Sequence, residues 1–416
     1  MKKIIYLCGM MLLYMNVMAQ IDPYDKNWDT IVYDDFDLPN REFNSTFQEP
    51  LGNWISFVPC LKSGVTKGDY HQIYQWNYCD IDAAHSELRL NSMFIRDTPI
   101  LCNEQPNYYI LPPTTYNNIS YHCNNDCPYL YYYSGMIESP PQDISEKTNN
   151  LPPPRFRYGY FEIRCKLPIH EGAFPAFWLW DADSKSNPDD KYYEEIDIFE
   201  FSWSFEDPSS NHGNPNPHNP GHPYCFTSGI YYDDTSTYCG WQTSRARAFP
   251  MINDSLSHWH TYACEWLPEH VIWYCDGNIV NEYHNPDSIP HHQLTLKANY
   301  AIDRYALQGH LDSGSPSWRG SDSMVIDYIN VYQLKWKCDE EKTIACQLDL
   351  DTLNFAVRKS VSISAAQEPV KVRAVDKVTF RITDHFTISG PFQVDSGGEL
   401  TVLMQSCPDA LEERKQ

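Results

Sequence analysis

Hydrophobic and polar residues alternate in short runs along most of this chain. Thr30-Ile31-Val32-Tyr33, Glu87-Leu88-Arg89-Leu90, Tyr160-Phe161-Glu162-Ile163-Arg164-Cys165 and Val325 to Tyr332 each place β-branched or aromatic residues at a period of two. That period is the mark of half-buried strands. The 30 prolines and 18 glycines cluster between the runs, and no stretch carries a convincing helical period. Short strands separated by turn chemistry predict an all-β chain folded as an antiparallel sandwich.

Three regions depart from this rhythm. At the N-terminus, Lys2 and Lys3 precede an apolar run from Ile4 to Val17, and Val17-Met18-Ala19 suits cleavage before Gln20. The expectation is a secretory signal over residues 1–19, and hence a secreted, periplasmic or cell-surface protein. The run falls short of the roughly 20 residues that a spanning helix needs. Cys8 sits inside it, not just after it where a lipoprotein cysteine would stand, and no later segment reads as transmembrane. Pro140 to Pro154 and Asp207 to Pro223 read as surface loops, the second holding His212, His218 and His222 in an Asn- and Pro-rich setting. Beyond Cys338 short strands follow one another quickly and tryptophan is absent, so residues 345–407 are expected to form a separate small β-module. Such modules often trail secreted bacterial enzymes. Cys346 and Cys407 are the expected staple.

The formal charge of −24, from 31 basic and 55 acidic side chains, repels nucleic acid and anionic membrane. Of the 14 cysteines, removal of Cys8 with the signal leaves an odd number, so at least one thiol stays free or pairs between chains. Export predicts disulfides, with Cys123 and Cys127 able to bridge to each other or to Cys102. No second close cysteine pair completes a zinc set. Aromatics make up 14% of the chain, with 12 Trp and 30 Tyr, a surplus that suits an aromatic-lined cleft.

The sharpest chemical signal is Tyr193-Glu194-Glu195-Ile196-Asp197-Ile198-Phe199-Glu200-Phe201. On a strand Glu195 and Asp197 share a face, whereas Glu200 on a regular strand would face the other way. A β-bulge between Asp197 and Glu200 returns it to the acidic face. Three clustered acids oppose one another's ionisation, which suits a site where one must stay protonated. Double-displacement glycoside hydrolysis needs a carboxylate nucleophile and a protonated carboxyl about 5–5.5 Å apart. Glu195 is assigned as nucleophile, Glu200 as general acid/base, and Asp197 as the residue between them that tunes both. A solvated acidic edge and a calcium site are the alternatives on the acids alone.

Neighbouring segments decide between these. Arg157-Tyr158-Gly159-Tyr160-Phe161-Glu162-Ile163-Arg164-Cys165-Lys166-Leu167-Pro168 and Gly172-Ala173-Phe174-Pro175-Ala176-Phe177-Trp178-Leu179 lead into the acid strand. His260 to Trp266, Trp273 to Gly277 and Asp327 to Tyr332 follow, and Asp34-Asp35-Phe36-Asp37 opens the series. Taken in this order, residues 28 to about 334 resemble glycoside hydrolase family 16, with a catalytic domain over 28–336. The resemblance implies a concanavalin A-like β-jelly-roll sandwich with a concave groove, retention of anomeric configuration, and the acid roles derived above. The bulged Glu-x-Asp-x-x-Glu spacing is shared by laminarinases, agarases, porphyranases and κ-carrageenases, whereas transglycosylating members have the shorter one. No cofactor is required by this chemistry; many members hold a structural calcium away from the groove, whose ligands the motifs here do not identify.

The resemblance also implies a set of sugar contacts. Trp178 matches a tryptophan flanking the catalytic subsite, where C–H faces of a pyranose pack on an aromatic plane. Phe174 stands where many members carry a second tryptophan. Met136 and Tyr231 replace residues common in laminarinase grooves, and Trp203 and Trp241 are further groove candidates. The expected substrate is a polysaccharide cut internally, β-1,3-glucan first and a β-galactan second. A non-catalytic glycan-binding protein is the reading from another class.

Overall fold

A computed structural model describes residues 28–37, 54, 72–74, 78–95, 132–139, 155–180 except 171, 192–201, 224–234, 242–302 except 249, and 318–407 except 352, 354, 355, 375 and 405. The expected signal, the segments 140–154 and 207–223 with their histidines, Cys102, Cys123, Cys127, Trp203 and Trp241 lie outside these residues. Among the described residues no helix is long and apolar enough to cross a membrane.

Among the described residues, sixteen strands build the larger part. In chain order they are β1 (Trp28–Asp34), β2 (Gln72–Tyr74), β3 (Cys79–Asp82), β4 (Glu87–Phe94), β5 (Tyr132–Ser134), β6 (Met136–Glu138), β7 (Gly159–Lys166) and β8 (Ala173–Trp180). β9 (Tyr192–Glu200), β10 (Thr227–Asp234), β11 (Gln242–Ala248), β12 (His260–Leu267), β13 (His270–Cys275), β14 (Asn278–Tyr283), β15 (Thr295–Ile302) and β16 (Ser321–Leu334) follow. They form two sheets. One runs β14-β13-β12-β7-β16-β4-β5-β2, with β1 also on β16 and β3 also on β4. The other runs β11-β10-β9-β8-β15-β6 and is antiparallel throughout. This is the expected β-sandwich of jelly-roll class.

Alternation explains why the sheets stack. Phe161 and Ile163 of β7, Phe177 and Leu179 of β8, and Ile196 and Phe199 of β9 enter one apolar cluster with Trp266 and Trp273. Burying each such side chain contributes roughly 1.5–3 kcal/mol. The buried indoles keep their N–H groups satisfied: Trp266 donates to Pro290 O and Trp54 to the Asp34 carboxylate, at 2.8 and 2.9 Å. Trp273 donates at 2.8 Å to Asp197 O, bonding one sheet to the backbone of the acid strand in the other.

The chain then changes architecture. β17 (Trp336–Ile344), a short helix α1 (Gln347–Asp351), β18 (Val357–Ile363), β19 (Val370–Val372), β20 (Lys377–Ile388), β21 (Phe392–Val394) and β22 (Glu399–Met404) follow. Here every pairing is parallel: β17-β18-β20-β22 in one sheet and β19-β21 in another. Parallel neighbours need a connection that returns the chain to its starting end. β19 and β21 lie on those return paths, so the chain winds as a coil around its own core of Ile344, Val361, Ile363, Val370, Val372, Phe380 and Ile382.

The disulfide corrects the expected staple. Cys407 bonds Cys338, not Cys346, which is exposed and has a free thiol. Register is the reason. Met404 pairs with Ile382, Ile382 with Arg358 and Arg358 with Lys337, so the end of β22 is level with the start of β17. Cys346 lies beyond the opposite end of β17.

Candidate active site

β9 carries the acids, and its bulge falls where the spacing places it. Against β8, Glu195 pairs with Trp180, Asp197 with Trp178, Phe199 with Phe177 and Glu200 with Ala176, leaving Ile198 as the extra residue. Against β10, three steps from Asp197 to Glu200 oppose two from Gly229 to Thr227. Glu195, Asp197 and Glu200 thus share the face away from the core, while Ile196, Ile198 and Phe199 are buried in it.

Burial shapes the electrostatics. Asp197 is 1% exposed, Glu195 7%, and Glu200 half-buried. Neither carboxylate oxygen of Asp197 receives an N–H or hydroxyl hydrogen bond among the described residues. Its neighbours are the carboxyl groups of Glu195 and Glu200. Carboxyls in contact form a hydrogen bond only when one carries a proton. Burial first, then the charges of Glu200 and Glu195, hold the Asp197 carboxyl well above the usual range. Burial likewise pushes Glu200 up to about 7, against an opposing pull from the Arg247 guanidinium. The cluster therefore holds protons at neutral pH.

Aromatic and polar side chains frame the acids. Trp178 and Trp180 stand beside Asp197 and Glu195 with ring centroids 6.0 Å apart. Trp178 donates from Nε1 to Asn299 Oδ1 at 2.7 Å, and Asn299 donates to the Tyr74 hydroxyl at 3.1 Å. That relay fixes the indole plane. Tyr231 lies opposite Glu195 on β10, and burial raises its phenol, helped by the nearby acids. Gly229 lies opposite Asp197, where a Cβ would come within 3.2 Å of Arg247 Cα. A side chain there would press on the backbone of Arg247, whose charge acts on Glu200.

Phe174 lies half-buried at the far end of β8 and packs on a small cluster of Tyr74, Met136 and Ala301. Met136, expected as a groove residue, is buried in that cluster. Trp203 and Trp241 lie outside the described residues.

The sequence reading missed several neighbours of the acids. Trp180 was within reach, because two residues beyond Trp178 on a strand is the same face. Lys297, Asn299 and Glu138 gave no such signal, since every residue of β15 and of β6 is buried. Lys297 Nζ meets Glu138 Oε2 at 2.6 Å and lies 4.8 Å from the Trp180 ring centroid. This buried ion pair stiffens the floor beneath the tryptophans.

Comparison with known proteins agrees with this geometry. Residues 152–329, which include the whole acid strand, match the profile of glycosyl hydrolases family 16. The chain is 29% identical over 179 residues to the endo-1,3-1,4-beta-glycanase EglC of Rhizobium meliloti, covering 42% of this chain and 30% of that protein. It is 26% identical over 254 residues to the kappa-carrageenase of Pseudoalteromonas carrageenovora, covering 58% and 56%. The match thus spans from under a third to little more than half of these relatives' lengths. A solved laminarinase from Flavobacterium sp. UMI-01 is 17% identical, covering 73% of this chain and all of that one, with a TM-score of 0.46. With the motif series in order and the family match taking in the bulged strand, residues 152–329 of this chain are similar to glycosyl hydrolases family 16.

Proposed function

We propose that this chain is an exported, retaining endo-glycoside hydrolase that cuts a β-glucan, with β-1,3-glucan as first substrate, through Glu195 as nucleophile and Glu200 as general acid/base. One observation carries the reading: the bulge brings both glutamates onto the face of Asp197, and both neighbour its buried carboxyl. That arrangement limits their separation to roughly one carboxyl and two contacts, which suits the short spacing of double displacement, about 5–5.5 Å, better than the wider spacing of inversion.

Glu200, with its carboxyl pushed up to about 7, holds the proton that the leaving oxygen needs. Glu195 attacks the anomeric carbon as the glycosidic C–O bond breaks and Glu200 delivers its proton. Glu200, now ionised, then takes a proton from water, whose oxygen displaces Glu195. A protonated Asp197 donates to the nucleophile's carboxylate in the resting state and can release it as the covalent bond forms. Trp178, held by Asn299, offers a flat face to the sugar. The glycanase relatives support a β-glucan, and the kappa-carrageenase relative favours a β-galactan as the second reading. Export rests on Lys2, Lys3 and the apolar run to Val17.

The test is reducing-end release on laminarin, lichenan, agarose, porphyran, carrageenans and xyloglucan, with Glu195→Gln alongside. Activity on laminarin or lichenan that vanishes in the variant is the expected result. Activity on a galactan alone would move the substrate. Activity that survives Glu195→Gln would sink the nucleophile assignment, and binding without hydrolysis would favour a glycan-binding protein.

A further inference from the structure

Glu194 precedes the proposed nucleophile but points to the opposite face of β9. Its side chain is only 3% exposed, and two consecutive histidines meet it. His292 Nδ1 lies 3.1 Å from one carboxylate oxygen and His291 Nδ1 lies 3.7 Å from the other. The backbone N–H of His292 also donates to Glu194, at 3.3 Å. The two imidazole rings lie 4.3 Å apart and tilt by 35°, so both present the same nitrogen to one carboxylate. One ligand atom from each of the three residues fits within 4.8 Å of the others.

We propose that Glu194, His291 and His292 bind one divalent ion of the zinc class, tying the segment before β15 to the start of the acid strand.

Donor chemistry is the first argument. Two imidazoles and a carboxylate are a nitrogen-rich set that suits zinc or cobalt, whereas calcium takes oxygen ligands. Spacing is the second. Each histidine nitrogen lies 3.1 or 3.7 Å from its own oxygen of the Glu194 carboxylate, and one ligand atom from each residue lies within 4.8 Å of the others, so small side-chain rotations bring the three to the roughly 3.4 Å spacing of tetrahedral bonds of about 2.0–2.1 Å. Access is the third. The side chains of His291 and His292 are 20% and 47% exposed, so an ion can enter from solvent and water can complete its shell.

Two other clusters have a different donor set. The group of His260, Cys275 and Asp276 brings one imidazole, held by Asp276 Oδ2 at 2.7 Å and Ser255 O at 3.0 Å. In the group of Asp82, His85 and Glu87, the Arg89 guanidinium already sits 2.6 Å from Asp82.

The experiment uses the full chain without an affinity tag, stripped by a chelator and titrated with Co²⁺ and then Zn²⁺. Cobalt is read by its visible absorption bands and zinc by the thermal midpoint. The expected result is one equivalent of tetrahedral cobalt displaced by zinc, with a midpoint rise of a few degrees at saturation. His291→Ala and His292→Ala each weaken binding at least about tenfold. Both side chains are partly exposed, so these variants test the site without depending on the buried Glu194. No stoichiometric binding would overturn the proposal. So would binding that both histidine variants retain, since the chain has 15 histidines to supply sites elsewhere.

Discussion

The acid stripe of β9 and the C-terminal coil treat buried charge in opposite ways. On β9 two glutamates and an aspartate crowd one face, and the most buried of them has no N–H or hydroxyl donor among the described residues. In the coil, buried Arg358 meets Glu340 at 2.9 Å, and buried Arg381 reaches over the Trp28 ring at the boundary with the sandwich. A buried charge with a partner is ordinary architecture. A buried acid surrounded by other acids costs stability, and it persists where the proton it retains is used. The comparison separates a surface organised for chemistry from one organised to stay folded.

The largest expected effect falls on the acid stripe. Glu200→Gln should lower turnover by about 10²–10⁴-fold while substrate binding changes little. In the parent protein activity should fall as pH rises through about 7, because the general acid must be protonated. A variant that keeps that basic limb would show that another group sets it.

Next comes the coil. Cys338→Ala with Cys407→Ala opens a disulfide spanning 69 residues, which should destabilise the module by about 4 kcal/mol. Hydrogen exchange should quicken across β18 to β22 and not across β9. Faster exchange in β9 as well would mean that the two regions unfold as one.

A smaller change should come from Asp197→Asn. Burial and the charges of Glu200 and Glu195 hold this carboxyl well above its unfolded value, so the folded state favours its protonated form more than the unfolded chain does. This contribution therefore turns unfavourable as pH rises above the unfolded value of about 4. Asparagine removes that cost, so the thermal midpoint at pH 7 should rise by a few degrees while turnover drops. The gain should fade near pH 4. Destabilisation at pH 7 would show that the acid stripe is not strained.

Smallest of all, Arg247→Gln removes a cation that opposes the raised carboxyl of Glu200. The basic limb should move to higher pH by about a few tenths of a unit, since Arg247 is exposed and its charge is screened.

Much of this was legible in the chain itself. Period-two alternation located β7 and β16, and the odd step from Asp197 to Glu200 located the bulge, because strand geometry turns residue parity directly into facing. The family resemblance put Trp178 and Tyr231 at the groove, and inter-strand register sets both beside the acids. What tertiary structure alone decided were relations between strands distant in sequence. Lys297 and Asn299 reach the groove floor because β15 inserts between β8 and β6. Cys338 bonds Cys407 because three successive registers bring the end of β22 level with the start of β17. Parallel winding was equally hidden, since a short strand has the same alternation whichever way its neighbour runs. Local pattern encodes which face a residue takes, but partner and register come from how all the apolar faces are buried at once.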